Sequence, residues 1–212
     1  MSTAVLVYGE SGSGKTTSLR ELPPDHTLYI DADGKGLSWR GWRKQFNAEK
    51  KNYMKVSDAP QILAAMDAAK KSERIKYLVV DTINGSMLDS EMARVREKGY
   101  EKWVDLAESA YLICQRASQL RDDQIVIILG HSETITTDDG YRQTRLKTNG
   151  RKLEKIVLES KFTTVLLCEQ RSDNYVYVTR GENTTAKTPL DMFDRDEIPN
   201  NITQVIEALE EY

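Results

Sequence analysis

The 212-residue sequence predicts a single α/β domain over 1–212, with a mainly parallel sheet, helices on both faces and an antiparallel hairpin near the C-terminus. Three observations carry this expectation. Runs that are apolar throughout recur at 4–8, 27–30, 77–80, 125–129 and 163–167, the pattern of strands buried on both faces. Segments with apolar residues every three or four positions lie between them, as in a βαβ series. After the fifth run, Tyr175-Val176-Tyr177-Val178-Thr179 alternates like a half-exposed strand and follows a turn at Ser172-Asp173-Asn174, so it extends the sheet in the antiparallel sense.

Taken in order, Ala4-Val5-Leu6-Val7-Tyr8 is the first strand, and a helix is expected over 16–22, stopped by Pro23-Pro24. A second helix is expected over 58–71, where Ile62, Leu63, Met66 and Ala69 share a face. A third is expected over about 100–120, with Trp103, Leu106, Ala110, Ile113, Ala117 and Leu120 stepping by three or four. The connection after the fourth strand is long enough to hold its own hairpin, with 141–146 as the returning strand. Asn200 or Asn201 caps a last helix whose Ile202, Val205, Ile206 and Leu209 face one way. Internal repeats and low-complexity segments are absent.

The charges nearly cancel, with 30 basic against 33 acidic residues, so any contact with nucleic acid must use a local basic face. Cys114 and Cys168 stand in apolar runs without a CxxC or a histidine at ligand spacing, which argues against a disulfide framework or a zinc site and for a reducing cytoplasm. No apolar run approaches the length of a membrane span, and the first apolar run is too short for a signal segment. A cytoplasmic protein without a membrane partner is expected.

Gly9-Glu10-Ser11-Gly12-Ser13-Gly14-Lys15-Thr16 satisfies G-x-x-x-x-G-K-[ST] between a short apolar strand and an expected helix, the context that gives this motif its meaning as a phosphate-binding P-loop. Glycines let backbone N–H groups from 9–17, through Thr17, turn toward phosphates; Lys15 reaches the β and γ oxygens, and Thr16 offers a hydroxyl to magnesium. The expected ligands are therefore ATP and Mg2+. Magnesium calls for another oxygen on a neighbouring strand, and Tyr77-Leu78-Val79-Val80-Asp81 ends four apolar residues in a carboxylate, so the metal residues are Thr16 and Asp81.

The second strand ends Tyr29-Ile30-Asp31-Ala32-Asp33-Gly34 and the fourth runs Ile127-Ile128-Leu129-Gly130-His131-Ser132. Together with the P-loop this order of motifs resembles the RecA-type ATPase core. More narrowly, the size, the Gly-His pair and the late Ala186-Lys187-Thr188 resemble compact RecA-like ATPases of bacteriophages, some of which act in single-strand annealing and recombination. The resemblance implies that Asp33 stands where the family keeps a water-polarising glutamate, that His131 stands where it keeps a γ-phosphate-sensing glutamine, and that Lys187 or Arg180 reaches the ATP of an adjacent subunit. It implies a homo-oligomer on single-stranded DNA in a host cytoplasm. The chain departs from the pattern in carrying Asp for Glu and His for Gln, and the shorter aspartate implies slow turnover. Asp31 and Asp33 are equally open to shaping the strand end, and His131 to bonding a loop.

Two basic regions are candidates for DNA. Lys35, Arg40, Arg43, Lys44, Lys50, Lys51 and Lys55 are interleaved with Trp39, Trp42, Phe46 and Tyr53, a mixture that suits stacked bases and tracked phosphates; a solvated face over buried aromatics remains open. The loop from Glu133 through Asp138-Asp139-Gly140 to Arg142, Arg145, Lys147, Arg151 and Lys152 corresponds to the DNA-facing region of RecA-like proteins. A small-molecule kinase and a nucleotide-gated interaction module that recruits a replication partner remain alternatives, because one fold serves many functions.

Overall fold

The computed structural model describes residues 1–136, 140–149 and 156–212. Among them nine strands form one sheet. In chain order they are β1 (Thr3–Gly9), β2 (Thr27–Asp31), β3 (Tyr53–Lys55), β4 (Tyr77–Asp81), β5 (Ile125–Thr136), β6 (Arg142–Leu146), β7 (Thr164–Arg171), β8 (Asn174–Val178) and β9 (Glu197–Pro199). The helices are α1 (Trp42–Gln45), α2 (Ala59–Lys71), α3 (Ile83–Ala93), α4 (Glu101–Ala117) and α5 (Ile202–Glu211). The strand order is β3-β2-β4-β5-β1-β7-β8-β9, with β6 paired to the far half of β5. Pairings from β3 through β7 are parallel, whereas β7–β8, β8–β9 and β5–β6 are antiparallel.

Alternation along each strand divides the core into two. Leu6, Tyr8, Ile30, Val80 and Ile128 point to one face, where α2 and α4 lay Ile62, Met66, Ala110 and Ile113 on them. Val5, Val7, Tyr29, Val79 and Ile127 point to the other, covered by Leu19, Phe46, Val205 and Ile206. Both faces being dry explains why these strands read as continuous apolar runs. The N-cap of α2 is Asp58, whose side chain accepts from the Gln61 N–H, and that of α5 is Asn201, which accepts from the Thr203 N–H.

The structure corrects three expectations. The helix expected over 16–22 is a single 3-10 turn, Thr17–Leu19: the N–H groups of Leu19, Arg20 and Leu22 bond three residues back rather than four, and Pro23 has no N–H to offer the Leu19 carbonyl. The fourth predicted strand does not end near His131: β5 runs on to Thr136 and turns into the β6 hairpin. Helix α3 was not expected; its Asn84-Gly85-Ser86 start hides any period, and Thr82 caps it by accepting from the Gly85 N–H at 3.2 Å.

The parallel register levels the strand ends that matter. Asp31 pairs with Asp81 and Gly9 with His131, all at the carboxyl edge, where open α/β sheets place their ligands. Because Leu6 on β1 is fully buried, Leu6→Ala should lower unfolding free energy by about 2–5 kcal/mol, read from urea denaturation followed by circular dichroism.

Candidate nucleotide and magnesium site

The loop 9–16 leaves β1 at the level of Cys168 on β7. A Cβ on Gly9 would stand 2.3 Å from the Cys168 carbonyl oxygen, a backbone atom that cannot give way, so only glycine fits. Gly14 has φ +94°, and its Cα faces the ring of Tyr175. Ser13 Oγ is buried without a hydrogen-bond partner among the described residues. Lys15 folds back over the loop, its Nζ donating to the carbonyls of Gly9 at 2.8 Å and Glu10 at 2.7 Å. Burial pushes its pKa below the ordinary lysine range, against the opposing pull of Cys168, Asp81 and Asp33.

Thr16 Oγ1 donates to Asp81 Oδ2 at 2.7 Å, and Tyr29 OH donates to the same oxygen at 2.6 Å. Asp81 Oδ1 is buried with no hydrogen-bond partner among the described residues. Burial raises the pKa of this carboxyl despite the two hydroxyls that favour its charged form. A buried carboxylate oxygen left open beside a threonine hydroxyl fits a hydrated magnesium ion, which keeps several waters and takes few protein ligands. No cluster of three or more His, Cys, Asp or Glu side chains able to hold a metal occurs among the described residues; a magnesium ion at this place would take Thr16 directly, Asp81 through water, and phosphate oxygens.

Asp33 lies at the turn after β2. Its Oδ1 accepts from Thr82 Oγ1 at 2.7 Å and its Oδ2 pairs with Lys35 Nζ at 2.5 Å. Burial acts to raise its pKa, but the bonds from Lys35 and Thr82 outweigh it and hold the carboxyl below the usual range. Asp31 does something else: it accepts from the N–H groups of Gly34 and Gly36, both at 2.8 Å, and from Tyr53 OH at 2.6 Å, which shapes the turn. His131 projects from the middle of β5 into the same cavity as Lys15 and Thr16. Its backbone N–H donates to Asn84 Oδ1 at 2.7 Å.

That cavity, about 630 Å³, is lined by the loop, Arg20, Lys35, His131, Tyr175 and Asn200. A second one of about 320 Å³ lies across the loop, against Glu10, Ser11, Ser132 and Cys168. The sequence grouped Lys35 with a DNA-binding stretch; the structure places it in the nucleotide cavity instead. No local signal marked it, since its role comes from the turn that Asp31 ties. Tyr175 and Asn200 were likewise missed, because the hairpin and β9 bring them from more than 150 positions away.

Lys187 is not brought to the chain's own cavity. It is exposed, and its backbone bridges Val165 near the start of β7, well short of the carboxyl edge. The aromatic residues of the basic stretch turn inward: Phe46 is fully buried, Trp42 and Tyr53 pack with centroids 5.2 Å apart, and Trp39 meets Phe46 at 6.1 Å. Phe46 is thereby closed to bases, while Trp39, Trp42 and Tyr53 are half-buried. Arg145 is paired with Glu133 at 2.9 Å, while Arg142 and Lys147 are exposed. Asp138, Asp139, Arg151 and Lys152 lie outside the described residues.

Central parallel strands, a glycine-rich loop closing on a buried lysine, and β5 set between the loop strand β1 and the carboxylate strand β4 define a P-loop NTPase core. A family model described as an AAA domain matches residues 1–190, and the chain belongs to that family. Its membership supports nucleotide binding and ATPase activity. A search of curated proteins finds no match. No helix among the described residues is long and apolar enough to cross a membrane.

Two measurements probe the site. Asp81→Asn should keep nucleotide binding in EDTA but lose most of the gain that magnesium adds, because the amide keeps the shape without the charge; calorimetric titrations with and without the metal compare the two. His131, whose pKa is depressed from 6.5 by burial and then by the Lys15 charge, takes up a proton more readily unfolded than folded. Stability is therefore complete above that pH and declines as pH falls below it. His131→Asn should flatten this acid-side decline in denaturation midpoints measured from pH 7.5 to 5.

Proposed function

We propose that the chain is a magnesium-dependent, slow ATPase of phage-type DNA recombination or single-strand annealing, with ATP controlling its assembly as a homo-oligomer on single-stranded DNA. The observation that carries the reading is that Lys15 and Thr16 line one cavity and Thr16 bonds the half-satisfied Asp81 carboxylate buried behind it. In this reading Lys15 exchanges the carbonyls of Gly9 and Glu10 for the β and γ oxygens of ATP. Thr16 and Asp81 hold magnesium, which when bound offsets charge building up on the phosphates.

Asp33 takes a proton from water as the water oxygen attacks the γ-phosphorus and the bond to the β-bridging oxygen breaks, so that ADP leaves. His131, half-buried opposite Gly9, contacts the γ-phosphate. Lys187, exposed and remote from its own cavity, acts on the nucleotide of a neighbouring copy. The DNA assignment leans on Arg142 and Lys147, exposed on or beside the β6 hairpin; the Lys147 N–H donates to the His131 carbonyl at 2.7 Å, which joins the basic surface to the nucleotide cavity through one backbone bond.

Lys15→Ala should abolish measurable nucleotide binding with the circular dichroism spectrum kept; a folded variant with unchanged affinity overturns the reading. Affinity for single strands with ATP present should fall with rising salt by about 0.7 logarithmic units per phosphate contact per tenfold salt, and charge reversal at Arg142 and Lys147 should flatten that slope. Asp33→Asn should slow turnover by about 10²–10⁴-fold at unchanged ATP affinity. Mixing Lys187→Ala with Lys15→Ala chains should restore part of the ATPase rate that each lacks alone.

A further inference from the structure

Lys35 sits between two glycines in left-handed backbone conformation, Gly34 at φ +69° and Gly36 at φ +83°. Both glycine N–H groups are held by the Asp31 carboxylate, which the Tyr53 hydroxyl fixes in turn. The backbone that carries Lys35 is thus tied down at both ends, while its side chain, 52% exposed, keeps the freedom of a four-carbon stem. Its ammonium stands at the wall of the cavity that holds Lys15, Thr16 and His131, and contacts Asp33 Oδ2 at 2.5 Å. The other Asp33 oxygen is occupied by Thr82 Oγ1. In this state each Asp33 oxygen already carries one donor, and the ammonium on Oδ2 stabilises the charged carboxylate, which makes it a weaker base toward water.

We propose that Lys35 is a substrate-operated lock on Asp33: it engages the carboxylate in the nucleotide-free protein and is drawn off by the γ-phosphate of an entering nucleoside triphosphate. The inference rests on the reading of this cavity as the ATP site with Asp33 as the base. The physical ground is competition between two anions for one mobile cation. An ion pair with a half-exposed lysine is weak, whereas a terminal phosphate brings more charge and three acceptor oxygens to the same ammonium. Thr82 stays on Oδ1 throughout and keeps the carboxylate aimed while Oδ2 is released. ADP lacks the γ-phosphate and leaves the lock closed, so the base is exposed only when there is a bond to cleave. Lys35 is in this sense a positioning residue for Asp33 as well as a phosphate contact.

The test compares wild type, Lys35→Ala and Lys35→Arg in ATP and ADP affinity, using a non-hydrolysable ATP analogue for binding, and in kcat and KM. Lys35→Ala should weaken the triphosphate by about 10- to 100-fold, as for a lost bond to a charged group, with ADP affinity unchanged. Its KM should rise with the lost affinity while kcat rises as well, because Asp33 carries no ammonium from the start. Lys35→Arg should restore the preference for triphosphate and lower kcat, since a guanidinium grips a carboxylate with two parallel bonds and releases it less readily. An unchanged triphosphate-to-diphosphate ratio in Lys35→Ala, or a kcat lowered along with it and restored by Lys35→Arg, overturns the lock. The first leaves a surface ion pair only, and the second a cation acting directly on the transition state. Wild-type protein that binds no ATP at all overturns the nucleotide reading, and the lock with it.

Discussion

The Asp81 carboxylate is the interaction on which the rest of the site depends. It ends the buried β4 strand, and burying an ionised carboxyl costs several kcal/mol unless partners replace its water. Tyr29 from β2 and Thr16 from the phosphate loop supply two donors to one oxygen. Those two bonds tie together a sheet strand, its neighbour and a loop that starts two strands away, across the intervening β5. The loop's shape is thereby set against the sheet rather than by the short 3-10 turn that follows it. The second Asp81 oxygen is the part of the arrangement that folding leaves open, and a hydrated cation is the partner whose chemistry matches it.

Two aspartates separated by one residue show how the same functional group is given different work by its surroundings. The chain reverses direction after β2, so Asp31 meets the backbone of the next turn and the Tyr53 hydroxyl, while Asp33 meets side chains facing the cavity. With three donors on its carboxylate, Asp31 has few acceptor positions left for chemistry. Asp33 is held by one hydroxyl and one flexible ammonium, of which the second can leave. The aromatic residues just downstream pack beneath this turn, so part of the stretch 35–55 serves as the scaffold of the turn.

On the opposite side of the cavity, β5 continues past the level of the phosphate loop and folds back as β6. His131 occupies the point where the strand leaves the parallel sheet. Asn84 on α3 accepts from the His131 N–H and donates to the Lys147 carbonyl at 2.9 Å. One amide therefore joins the nucleotide cavity, the helix after β4 and the exit of the hairpin.

The phosphate loop, the carboxylate of Asp81, the alternation of strands with helices and the returning strand at 141–146 were legible in the sequence, because each depends on local spacing: glycines at fixed intervals, four apolar residues before an acid, apolar residues at period two or three to four. Helix 58–71 and the Asn201 cap of the last helix were legible for the same reason. The tertiary structure decided what no local pattern encodes. The segment after the loop closed its hydrogen bonds three residues back and stayed a 3-10 turn, and β5 outran its apolar segment because β6 pairs with its polar half. Lys35 faced a cavity because Asp31, four residues earlier, had bound the neighbouring backbone. Lys187 stayed away from its own site because the chain beyond β8 bridges the early part of β7. Spacing along a chain determines which side chains share a face of one element; which faces meet, and so which charges become partners, is determined by how the elements pack.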